Sequence, residues 1–94
     1  MMINPDFANT ILTLSNKLSA HNIPHTLNVI QDGLQIRFPW NDGDIICHNF
    51  SFGHNYGKVE SMGCPWDNKG YFKVSCLDIE EALNLITEWY AIRH

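Results

Sequence analysis

The stretch TLNVIQDGLQIRF, residues 26–38, decides the fold. Leu34, Ile36 and Phe38 alternate with Gln35 and Arg37. That two-residue period marks a strand with one buried and one wet face. Residues 26–30 read as a second strand. Asp32-Gly33 lies between the two, a pair that accommodates positive φ in a tight hairpin turn. Pro39 closes the second strand, because it has no N–H to give to a ladder.

On the N-terminal side the pattern changes to a helix over 5–21. Asn4 is a good N-cap, Pro5 suits the first helical position, and Asp6 suits the positive end of the helix dipole. Phe7, Ile11, Leu14 and Leu18 form one apolar stripe, which Leu12 widens. Asn22 can take the left-handed conformation that ends the helix, and Pro24 prevents its continuation.

On the C-terminal side Asp42-Gly43 reads as a second turn. Residues 44–52 read as a third strand, with Ile46, His48, Phe50 and Phe52 on one face and Ile45, Cys47 and Asn49 on the other. Residues 53–57 make a third turn. A fourth strand spans 58–63, with Val59 and Met62 as its core candidates. Residues 64–70 form a loop, in which Pro65 and Asp67-Asn68 supply turn chemistry. A short fifth strand spans 71–75. The last element is a helix over 79–92. Asp78 and Glu81 make a capping box, and Leu77 can staple against Ala82. Ile79, Leu83, Ile86 and Tyr90 form its inner stripe, widened by Ala82, Leu85 and Trp89. The order helix, four or five strands, helix predicts an α+β domain over residues 1–94. It is an antiparallel meander with both helices packed on one face, in two layers.

Composition narrows the function. Of 94 residues, 17% are charged and the net charge is −4. The six basic residues are dispersed. Nucleic-acid binding normally needs them clustered, so it is disfavoured. No apolar run approaches the ~20 residues of a membrane span. The Met-Met-Ile-Asn-Pro start lacks the basic and apolar regions of a secretory signal. Three widely spaced cysteines argue against a disulfide framework and for a reducing, cytoplasmic setting. Each reads as a small buried hydrophobe.

Candidate chemistry concentrates in GDIICHNFSFGHNYGKVESMGCPWDNKG, residues 43–70. Cys47, His48, His54 and Cys64 are zinc-ligand types, but adjacent strand residues point to opposite faces and no cysteine pair has zinc-site spacing. Cys64 and His54 could make a thiolate–imidazole pair, yet no third residue stands out to orient it. Asp42, Asp44 and Glu60 read as turn and strand carboxylates rather than an acid–base pair. No phosphate-binding glycine motif occurs. Phe50, Phe52, Tyr56, Tyr71 and Phe72 could stack bases, but the Arg and Lys that accompany such platforms are scarce. Nothing here calls for a metal or a cofactor. Trp40 and Trp66, beside Pro39 and Pro65, are either lids over the core edge or contact anchors.

The run Trp40-Asn41-Asp42-Gly43-Asp44-Ile45-Ile46-Cys47-His48, continued by Ser51-Phe52-Gly53-His54, resembles small uncharacterised proteins of Gram-positive bacteria and their phages. The helix start Leu77-Asp78-Ile79-Glu80-Glu81-Ala82 is similar to theirs too. The resemblance covers about the C-terminal two-thirds and implies no activity. It implies a short intracellular accessory protein, encoded by a phage or prophage. The expectation is therefore a non-enzymatic protein-binding module acting on a host protein. Its contact residues would be Trp40, His54, Tyr56 and Trp66, and a homodimer is an option. The alternative is a small metal- or thiol-dependent enzyme using His48, His54 and Cys64.

Overall fold

A computed structural model describes residues 2–51, 53–64 and 74–93. Helix α1 (Pro5–Ala20) is followed by strands β1 (Thr26–Ile30), β2 (Gly33–Phe38) and β3 (Asn41–Cys47). A 3-10 turn, His54–Tyr56, leads to β4 (Val59–Met62), β5 (Val74–Leu77) and helix α2 (Ile79–Arg93). The five strands form one antiparallel sheet in the order β1-β2-β3-β4-β5. Both helices contact it, so the α+β meander is as the sequence predicts.

Local chemistry explains the helices. The Asn4 side chain accepts from the Asp6 N–H at 2.9 Å, and Pro5 opens α1. Asn22 lies beyond its end with φ 58°, and the Asn22 and Ile23 N–H groups cap its last carbonyls. At α2 the capping box is reciprocal. The Asp78 N–H donates to Glu81 Oε1 and the Glu81 N–H to Asp78 Oδ1. Lys17 and Glu80 join the two helices on the surface at 3.4 Å.

One face of the sheet carries the core. Ile36 pairs with Ile45, and Ile45 with Ser61. Ile36, Ile45, Cys47 and Val59 are buried beneath Phe7, Ile11, Leu14 and Leu18 of α1 and Ala82, Leu83 and Ile86 of α2. The other face carries Gln35, Arg37, Asp44, Ile46, Glu60 and Met62, by the same alternation. Met62 is therefore not a core residue. It pairs with Asp44 and is exposed, while Ser61 takes the inward position. Leu12 is exposed as well, because it falls on the flank of α1 rather than on its inner stripe.

Three turn assignments shift. The β1–β2 turn is Gln31-Asp32, with the positive φ at Gln31. Gly33 belongs to the strand, where a Cβ would overlap the Cys47 carbonyl oxygen. The β2–β3 turn is Pro39-Trp40, not Asp42-Gly43. The pairing jumps from Arg37↔Asp44 to Phe38↔Asn41, so Asp42-Gly43 is a bulge inside β3. Its glycine admits the Cys64 thiol and backbone. The third strand stops at Cys47 rather than at residue 52, because residues 48–51 fold into a turn. The fourth strand is shorter than 58–63, and the fifth runs on to Leu77. Residues 71–73 of the fifth-strand expectation, and the loop after Cys64, lie outside the described residues.

Candidate functional site

The turn that ends β3 is built around Ser51. Its hydroxyl accepts from the His48 N–H at 3.0 Å and donates to the His48 carbonyl at 2.9 Å. Its own N–H donates to that carbonyl too. The Phe50 N–H donates to His48 Nδ1 at 3.0 Å, which leaves the proton of a neutral His48 on Nε2. His54 has the opposite tautomer. Its Nδ1 lies 2.6 Å from the Ser51 carbonyl, which can only accept. Ser51 thus fixes both histidines.

These bonds control what the turn displays. His48 and Ser51 are buried, and Phe50 is turned outward, 75% exposed. His54 is half-buried and meets Phe7 edge-on, with ring centroids 5.3 Å apart. Tyr56 closes the 3-10 turn, its N–H bonded to the Gly53 carbonyl, with its side chain 82% exposed. Asp32 ties this end together. Its carbonyl accepts from the Asn4 N–H and its carboxylate from the Asn49 N–H.

Beneath the turn lies Cys47, fully buried. Burial pushes its thiol pKa up. Hydrogen bonds from the Thr10 and Ser51 side chains pull the other way, and the Asp32 charge adds to the rise. A buried thiol held protonated is a poor nucleophile. Cys64 is also buried, whereas Cys76 is exposed, against the expectation that all three are interior.

His48 and His54 are brought together through Ser51, but Cys64 is not with them. Its Sγ points to the Asp44 and Met62 carbonyls. Asp44 in β3 and His48 just past its end are four residues apart, about 13 Å at strand rise. Among the described residues, no group of three or more His, Cys, Asp or Glu is placed to hold a metal ion. Asp44 accepts from the Gln35 amide at 2.6 Å.

Trp40 sits at the opposite end of β3 from His54. Seven strand residues separate the two ends by roughly 20 Å. Its ring packs on Phe38 at 4.8 Å and Tyr90 at 5.4 Å, and its Nε1 donates to the Pro24 carbonyl. That is the geometry of a lid over the core edge. The described residues therefore place His54 and Tyr56 together and Trp40 apart. Trp66, and the Phe52, Tyr71 and Phe72 of the aromatic run, lie outside the described residues.

Two features escaped the sequence reading. Alternation puts Phe50 on a strand face, and the only hint otherwise is Ser51 three residues after His48, a spacing that suits a side-chain-capped turn. The second is a Ser15–His25 pair. The Ser15 hydroxyl lies 2.7 Å from His25 Nε2, and His25 Nδ1 lies 2.8 Å from the Ile23 carbonyl. This has the form of a nucleophile, a base and an orienting group. Ser15 is buried within a helix, however, where neighbouring N–H groups are committed to helical bonds and none is free for an oxyanion. The pair clasps α1 to the connection into β1.

The chain matches no protein-family model, no curated protein and no solved structure. No helix among the described residues is long and apolar enough to cross a membrane.

Proposed function

We propose that this chain is a non-enzymatic protein-binding module of the cytoplasm, an accessory protein of phage or prophage type that acts on a host protein. Its contact surface is the Phe50, His54 and Tyr56 end of the sheet. The observation that carries this reading is the display of two solvent-exposed aromatic rings on turns fixed by internal hydrogen bonds. A held aromatic loses little freedom on binding, and such anchors contribute about 2 kcal/mol or more each. Residues 48–57 contain no Asp, Glu, Lys or Arg, so covering them desolvates no charged side chain of the segment.

Tyr56→Ala and Phe50→Ala test it against Trp40→Ala. Proteins captured from a host lysate by the wild-type chain should be lost with the first two variants, whose melting temperatures stay near wild type. Trp40→Ala should lower the melting temperature first, through its packing on Phe38 and Tyr90. Capture unchanged in the Phe50 and Tyr56 double variant rejects this surface.

A further inference from the structure

Three histidines have bonded ring nitrogens, and they answer a second proton differently. His54 Nδ1 already donates to the Ser51 carbonyl, so a proton added at Nε2 leaves that bond in place. His25 Nδ1 likewise donates to the Ile23 carbonyl, and the Ser15 hydroxyl can accept from a protonated Nε2 as well as donate to a bare one. His48 is the exception. Its Nδ1 accepts from the Phe50 N–H at 3.0 Å, and both nitrogens of an imidazolium are donors. A proton taken up from solvent occupies the lone pair that holds Phe50, and two N–H groups then point at each other.

The rest of the turn does not depend on that lone pair. The Ser51 hydroxyl still bridges the His48 N–H and carbonyl, and the Ser51 N–H still donates to the same carbonyl. Tyr56 is held separately, through its own N–H on the Gly53 carbonyl. The exposed Phe50 ring, by contrast, meets the His48 ring edge-on at 6.3 Å, so it rests on the group that titrates.

Charged groups flank His48 without taking its Nδ1. From the β1–β2 turn comes Asp32, whose carboxylate accepts from the neighbouring Asn49 N–H. Continuing the β3–β4 register by two residues sets Lys58 opposite His48, and Glu60 pairs with Ile46. On β5, the Cys76 thiol pairs with Glu60 and lies beside Gly53. Beside these, β2 brings Gly33 and α1 brings Phe7 and Thr10 to this end, all uncharged.

We propose that His48 is a pH-sensitive latch on Phe50. As the pH falls from about 7.5 to about 5, where imidazole ordinarily gains its proton, Phe50 is released from its outward position while Tyr56 keeps its own. The consequence for binding rests on the reading of Phe50 and Tyr56 as the contact surface. That surface is complete at neutral pH and loses one of its two anchors in acid.

Solution NMR of the whole chain over this pH range tests the latch without a partner. The signals followed are the His48 ring and the Phe50 and Tyr56 amides. Protection of the Phe50 amide from exchange, corrected for the intrinsic effect of pH, should fall about fivefold as His48 titrates, the net worth of roughly one hydrogen bond. Tyr56 should keep its protection. His48→Asn supplies a side-chain oxygen that can accept from the N–H two residues on and does not titrate, so Phe50 should stay protected throughout. Constant Phe50 protection through the His48 titration overturns the latch. So does a His48 ring that does not titrate in this range, a Tyr56 amide lost in step with Phe50, or a loss that persists in His48→Asn. If that variant does not fold, the wild-type titration decides alone. Capture of partner protein at the two ends of the range reads the contact surface separately. A latch that opens while capture stays equal supports the latch and rejects Phe50 as an anchor.

Discussion

Gly33 shows how tightly one position can be specified. A side-chain carbon there would overlap the Cys47 carbonyl oxygen, which is backbone and cannot rotate away. Gly33→Ala should therefore part β2 from the end of β3, at a cost of about 3 kcal/mol or more in urea denaturation. A loss under about 0.5 kcal/mol, the range of ordinary surface changes, would show that the strands give way freely. Cys47 itself couples the core to pH. Its folded pKa is raised, mainly by burial, above the unfolded thiol value of about 8.5. The folded state then holds the proton when the unfolded state has released it. This contribution is fully present below about pH 8.5 and is lost as pH rises through the folded pKa, by up to ~1.4 kcal/mol per pH unit. Stability measured from pH 7 to 10 should fall less steeply in Cys47→Ala than in wild type. Parallel slopes would mean that the thiol ionises alike in both states.

At the scale of elements, the helices were the most legible, because their signals are local. Asn4, Pro5 and the 78–81 box act within one turn of themselves, and the structure forms the bonds they imply. Leu83→Ala should cost about 2–5 kcal/mol, since the side chain is buried in the core cluster. Asp78→Ala should cost only about 1 kcal/mol, the usual worth of a cap. Thermal and urea unfolding of both variants check the ranking, and a reversed order would mean that α2 rests on its cap rather than its inner stripe. Strand existence was legible from alternation, but turn placement was not. Asp42-Gly43 spells a turn, yet its glycine answers to Cys64, twenty-one residues away in sequence. Asp32-Gly33 spells one too, and there the glycine answers to Cys47. Both close approaches are tertiary facts that no local pattern carries. The same holds for the candidate surface. His54 and Tyr56 read as turn residues from sequence, whereas the outward Phe50 depends on hydrogen bonds among His48, Phe50 and Ser51 that alternation alone conceals.

Across the whole molecule the two ends of β3 have different characters. One is closed by Phe38, Trp40 and Tyr90 stacked over the core edge, and the other is the open aromatic end fixed by Ser51 and Asp32. The β1 edge lies along the side between them. The sheet order has a kinetic consequence as well. Each strand neighbours the next strand in sequence, so strand partners lie near one another along the chain and the search for them is brief. The contact of α1 with α2 joins the two ends of the chain and must close the longest loop. Docking of the helices on each other should then follow the rate-limiting step. In stopped-flow measurements, truncating Ile86 should speed unfolding and leave the refolding rate nearly unchanged, while truncating Ile36 or Ile45 should slow refolding. If Ile86 instead slows refolding, the helices assemble with the hairpins. The marginal link would then lie within the sheet, and the first part of the native protein to open would be a strand edge rather than the helix layer.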